Sequence, residues 1–132
     1  MPKIKYNKVK MNILYLSIAA VIGCLSRFSI DQIIRTLPSN AWVISTIIVN
    51  LIGCFVIGFL NNKNLLPNNP QIKTIVSIGF IGCLTTYSSF TKDLIDLFRE
   101  QSFLHSCAYV LTTITLGVII FLLAEKLSKM LF

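Results

Sequence analysis

Between Gly79 and Phe90 the chain reads Gly-Phe-Ile-Gly-Cys-Leu-Thr-Thr-Tyr-Ser-Ser-Phe, with two glycines, four serine or threonine hydroxyls and a tyrosine in twelve uncharged residues. The surrounding segment is apolar enough to cross a membrane. There, irregular backbone is tolerated only where it is buried in protein or lines a watery cavity. Gly79 and Gly82 loosen the helix, and the hydroxyls of Thr85, Thr86, Ser88 and Ser89 compete for backbone hydrogen bonds. The segment is therefore expected to break into two half-helices near Gly82–Thr85. Such a break frees carbonyl oxygens for a cation and exposes a half-helix N-terminus. Tyr87 and Phe90, three residues apart, share a face that Asp93 continues. Ring edges carry partial positive charge and make weak partners for an anion; ordinary packing is the plainer alternative. An ion path is the chemistry these residues suggest.

Other polar groups recur at helical spacing inside apolar runs. Thr46, Asn50 and Gly53/Cys54 share one face, as do Tyr109, Thr113 and Gly117. Asn50 is either a polar group of the path or an interhelical hydrogen bond that holds the bundle. Threonines in such helices often bond only their own i−4 carbonyl. Arg27 stands near the end of the first run with Asp31 one turn on. It is either a functional charge or half of an interfacial ion pair with Asp31.

The elements that must position these residues are four long uncharged runs, Met11–Ser26, Ala41–Leu60, Thr74–Thr91 and Phe103–Ala124. The chain has 132 residues, of which 55% are hydrophobic and 13% charged. Soluble domains carry about 25% charged residues, whereas a spanning helix needs roughly 20 mostly apolar ones. The expectation is an all-α membrane protein of one domain, 1–132, with spans at about 11–34, 41–61, 72–98 and 103–127. The first run follows lysines, as in a signal peptide, but lacks a clean small-x-small cleavage site and is followed by three more spans.

Charge sets an orientation. Lys3, Lys5, Lys8, Lys10, Lys63, Lys73, Lys126 and Lys129 fall on one side of a four-span chain, against Arg35, Arg99 and, within the third helix, Lys92. The positive-inside rule then places both termini in the cytoplasm. The N-terminal lysines read as this topological signal, with contact to anionic membrane lipid, rather than as a nucleic-acid site. Cys24, Cys54, Cys83 and Cys107 form no CxxC pair, and His105 stands alone. Neither a metal cluster nor a disulfide framework is expected.

Taken together, these motifs resemble the Fluc (CrcB) family of fluoride channels over nearly the whole chain. Gly23-Cys-Leu-Ser-Arg27 is similar to the family's G-x-x-x-R. Thr46-Ile-Ile-Val-Asn50-Leu-Ile-Gly53 with Gly58 is similar to T-x-x-x-N-x-x-G-x-x-x-x-G. Residues 79–90 are close to G-F-x-G-G-x-T-T-F-S-T-F, a highly specific pattern. The resemblance implies a passive, fluoride-selective channel of the bacterial inner membrane, not an enzyme, that exports fluoride from the cytoplasm and lowers its toxicity. It implies an antiparallel dual-topology dimer with two pores and a structural Na+ at the centre. Gly82 and Thr85 would supply backbone carbonyls to that ion. Asn50, Tyr87, Phe90, Ser88, Thr46, Tyr109 and Thr113 would line the fluoride pore, with Arg27 in the vestibule.

The chain departs from the pattern at Cys83, whose Cβ would oppose a positive φ, and at Tyr87. Ser89 replaces a threonine, Asp93 takes the place of a glutamate, and Gly117 sits where a serine is expected. The charge bias further suggests a fixed orientation, and pairing with an oppositely oriented paralogue in place of a homodimer. The alternatives are a small multidrug-type antiparallel dimeric exporter, which needs a membrane-embedded carboxylate in span one, and a non-transporting structural membrane subunit.

Overall fold

The computed structural model describes residues 13–37, 42–62, 65 and 70–132. Lys3, Lys5, Lys8, Lys10 and Lys63, on which the orientation expectation leans, lie outside the described residues. Among the described residues, four helical spans are long and apolar enough to cross a membrane. The first is α1, Ile13–Arg35, and the second is α2, Trp42–Leu60. The third is composite. It begins with α3 (Pro70–Thr74), widens into a π-helical segment (Ile75–Ile81), returns to one α-turn, α4 (Gly82–Leu84), and resumes as α5 (Tyr87–Glu100). The fourth is α6, Phe103–Leu131, which runs past the expected end near 127.

Pro70 starts α3 at a position where its missing N–H removes nothing. The π-helical register is marked by the Gly82 N–H, which donates to the Ser77 carbonyl five residues back. The Ser77 hydroxyl donates to the Lys73 carbonyl (2.6 Å), a back-bond that bends helices. Between α5 and α6 only Gln101 and Ser102 intervene, so the two helices pack side by side. Ser102 caps α6, its hydroxyl accepting from the His105 N–H.

Two of the closest backbone contacts in the bundle are made at glycines. α1 lies on the third span at Gly23, where an added Cβ would stand 2.2 Å from the Phe80 carbonyl oxygen. α2 lies on α6 at Gly58, where one would stand 2.4 Å from the Phe121 carbonyl oxygen. Without a hydrophobic drive between helices in lipid, such small-residue contacts are what let spans associate. The buried core is slim: Val49, Ile81 and Leu84, with Ile30, Val56, Val76 and Phe80 against it. Large apolar side chains of every span face outward, among them Leu25, Phe28, Ile57, Ile78 and Leu122. That is the distribution of a chain whose surroundings are lipid or another helix rather than water.

One tie was not signalled by the sequence. Asn62, buried at the end of α2, donates its side-chain amide to the Ser128 carbonyl of α6 (2.9 Å). Gly117 is buried on α6 facing the Cys54 thiol, which would lie 3.3 Å from an added Cβ. Its small size serves helix packing.

Candidate functional site

The break in the third span falls at Thr85 and Thr86, both extended (φ −77°, ψ 158° and φ −151°, ψ 121°). The hydroxyls make it in the way their chemistry allows. Thr86 Oγ1 accepts from the Ser89 N–H (3.2 Å) and caps α5, so one of the N–H groups exposed at the half-helix N-terminus is satisfied from within. In a continuous helix that N–H would bond the Thr85 carbonyl. Thr85 meanwhile closes the upstream half: its N–H (2.9 Å) and hydroxyl (3.0 Å) both donate to the Ile81 carbonyl.

Asn50 clamps the break from α2. The Thr86 N–H donates to Asn50 Oδ1 (2.9 Å), and Asn50 Nδ2 donates back to the Thr86 carbonyl (3.4 Å). In a continuous helix the Thr86 N–H would serve the Gly82 carbonyl. The carbonyls of Gly82 and Thr85 thus both lose their regular helical donors to side chains. Neutral carbonyl oxygens of this kind suit a hard cation; no cluster of His, Cys, Asp or Glu that could hold a metal occurs among the described residues. Gly82 itself has φ −61° and shares an ordinary helical turn with Cys83, so the strain expected from a Cβ at Cys83 is not present.

The clamp has a measurable consequence. Asn50→Leu leaves the Thr86 N–H without its partner in a span, at a cost of about 1–3 kcal/mol. A lowered thermal midpoint of the purified protein in detergent is expected. An unchanged midpoint would show that the break does not depend on α2.

Beyond the break, an aromatic row runs along α5 and onto α6. The Tyr87 and Phe90 rings are 6.0 Å apart, and Phe90 stacks on Tyr109 at 5.2 Å. Tyr87 is 81% exposed, so the row opens to the surface of the single chain. Tyr109 ends it by donating its hydroxyl to the buried Asp93 (3.4 Å). The Thr113 hydroxyl donates to the Tyr109 carbonyl (2.7 Å), the local back-bond that competes with any role toward an ion.

Alongside the row lies a cleft of about 520 Å³ whose lining includes Arg27, Thr46, Thr86, Ser88 and Asp93. Of the expected pore residues, Thr46 and Ser88 therefore face this cleft. Phe90 and Tyr109 stand in the row behind Asp93, and Asn50 sits at the break. Arg27 does not pair with Asp31. Asp31 instead accepts from Arg35 Nε (2.7 Å) and from the Ser45 hydroxyl of α2 (2.8 Å). Either arginine is one turn from Asp31, and the contact with Ser45 shows which way the carboxylate leans. Ser45 was not singled out by the sequence, because nothing local to it marks a tertiary partner; Arg35 lies one turn from Asp31, as Arg27 does, and spacing does not choose between them.

Comparison with known proteins supplies the wider frame. Residues 14–124 match the family model described as "CrcB-like protein, Camphor Resistance (CrcB)". A protein of Dehalococcoides mccartyi named "Fluoride-specific ion channel FluC" is 28% identical over 121 residues, covering 90% of this chain and 93% of the relative. A Staphylococcus aureus protein (strain NCTC 8325 / PS 47) named "Fluoride-specific ion channel FluC 1" is 33% identical over 120 residues, covering 89% and 97%. With its four spans, its interrupted third span and a match over most of its length, the chain belongs to the CrcB (Fluc) family.

Proposed function

We propose that this chain is a subunit of a passive, fluoride-selective channel. The observation that carries the reading is the row Tyr87–Phe90–Tyr109, which begins immediately after the break and is tied through the Tyr109 hydroxyl to Asp93 of the polar cleft. Fluoride is small and strongly hydrated, and removing its water is costly unless donors replace it. Asn50 uses one Nδ2 hydrogen on the Thr86 carbonyl, which leaves a second for an anion. The Ser88 hydroxyl and the ring edges of Tyr87 and Phe90 add further weak partners. Weak partners in series suit conduction, which needs binding that is favourable on entry and easily reversed. An inside-negative potential drives an anion outward by about 2.3 kcal/mol per 100 mV per charge. Net export of fluoride from the cytoplasm then needs no coupled energy source.

The resemblance to the Fluc (CrcB) family supports a wider assembly as part of the same reading. An antiparallel dimer would bring the Gly82 and Thr85 carbonyls of two chains together around a structural Na+, whose contribution is to hold the two breaks in register. The lysine bias favours a fixed orientation in the bacterial inner membrane with both termini cytoplasmic. A partner of opposite orientation is then a paralogue. A multidrug-type exporter is disfavoured because Asp31, the acid available in span one, is engaged by Arg35 and Ser45.

Proteoliposome efflux tests the reading. Purified chain, alone or with its oppositely biased partner, is expected to release fluoride when potassium flux is enabled, and to release no chloride. Release of neither anion by either preparation would overturn the channel reading. Fluoride release by the chain alone, with its termini accessible on both faces, would overturn the fixed orientation.

A further inference from the structure

The charge of the cleft does not match what an anion's entrance would be expected to carry. Its lining holds three cationic side chains, Arg27, Arg35 and Lys92, and four carboxylates, Asp31, Asp93, Asp96 and Glu100, a formal excess of one negative charge. The arrangement is ordered. Arg35 is paired with Asp31 and Lys92 with Asp96, each four residues apart on its own helix. In both pairs the carboxylate is the more enclosed partner, 30% exposed against 57% for Arg35, and 27% against 73% for Lys92. Asp93 is buried and accepts from Tyr109. Arg27 makes no ion pair among the described residues.

We infer that Asp31 and Asp96 restrain anion entry by cancelling the fields of Arg35 and Lys92, leaving Arg27 as the cation that an incoming ion meets. The inference rests on the channel reading. A cleft lined with one sign of charge focuses field and concentrates counter-ions without regard to their identity. Three unopposed cations would gather every anion in solution at the entrance and leave the pore to reject the larger ones. A mouth whose two ion pairs cancel, and whose one unpaired guanidinium is set against Asp93 and Glu100, admits anions without enriching them. Discrimination then stays with the donors and rings deeper in.

The prediction is a gain of flux, which a merely structural role would not produce. In proteoliposomes at low fluoride, where flux is limited by entry, Asp96→Asn and Asp31→Asn are each expected to raise fluoride efflux by about two- to fivefold at low ionic strength. Asn at position 31 still offers an oxygen to the Ser45 hydroxyl. Lys92→Gln, at an exposed position, is expected to lower efflux by a similar factor. All three differences should collapse in about 1 M impermeant salt, where the screening length is about 3 Å. Equal or reduced efflux for both aspartate variants at low salt would overturn the inference, as would changes that persist at high salt, which mark a structural cause. Absence of efflux from the wild-type preparation would instead overturn the channel reading on which the inference stands.

Discussion

Gly23→Val is expected to prevent the bundle from assembling. The position carries no special backbone conformation; what matters is what lies opposite. A Cβ there would stand 2.2 Å from the Phe80 carbonyl oxygen, 3.1 Å from its carbon and 3.2 Å from its Cα. All three are backbone atoms of the π-helical segment, so no rotamer change relieves the clash. α1 must move away from the third span, and the contacts made by Ile30 and Phe80 go with it. The cost is placed at the upper end for overpacking, about 3 kcal/mol. Gly82→Ala is the control. An added Cβ there meets only the Ser77 carbonyl oxygen at 3.7 Å, and in a helical turn alanine is the better residue. The thermal midpoint and the monodisperse fraction in detergent should fall sharply for Gly23→Val and hold for Gly82→Ala. Equal behaviour of the two variants would mean that α1 and the third span are not in backbone contact.

Under the channel reading, Phe90→Ile is expected to reduce fluoride efflux by up to about tenfold while leaving the fold intact. Phe90 sits between two rings, 6.0 Å from Tyr87 and 5.2 Å from Tyr109. Isoleucine fills a similar space but has no positive ring edge, and an aromatic interaction of this type is worth about 0.5–1.5 kcal/mol. Losing about 1.4 kcal/mol at the barrier is a tenfold loss of rate. Phe90→Tyr keeps the ring and should retain most of the efflux. Isoleucine flux within twofold of the wild type would take the ring out of the ion's path and return the row to simple packing.

The parts of this structure legible in the sequence are those whose cause is local. Four long apolar runs can be little other than spans. Thr85, Thr86, Ser88 and Ser89 carry their own competing hydrogen bonds, so the interruption could be placed to within a residue or two. The rest depends on what comes opposite in space. Asn50 stood out as a polar group on a helix face, but that face does not say that the amide would meet the Thr86 peptide 36 positions on. Asp31 has an arginine one turn away in each direction. Periodicity cannot choose between Arg27 and Arg35; Ser45, brought in by α2, goes with the choice of Arg35. The widening at Ile75–Ile81 left no mark either, because a π-helical register differs from an α-helical one by a single hydrogen-bond step. Cys83 misled in the opposite way. It replaces a glycine in the family pattern, and strain was expected where the chain makes an ordinary turn.

Because the interruption is stabilised by Asn50, Thr85 and Thr86 of the same chain, its shape exists before any second subunit arrives. Subunits that assemble as proposed would meet as finished parts. Their encounter in the bilayer would be limited by lateral diffusion and by mutual orientation, with no refolding step to slow it. A newly inserted chain could then wait for an oppositely oriented partner, or exchange one partner for another, without unfolding the segment on which conduction depends.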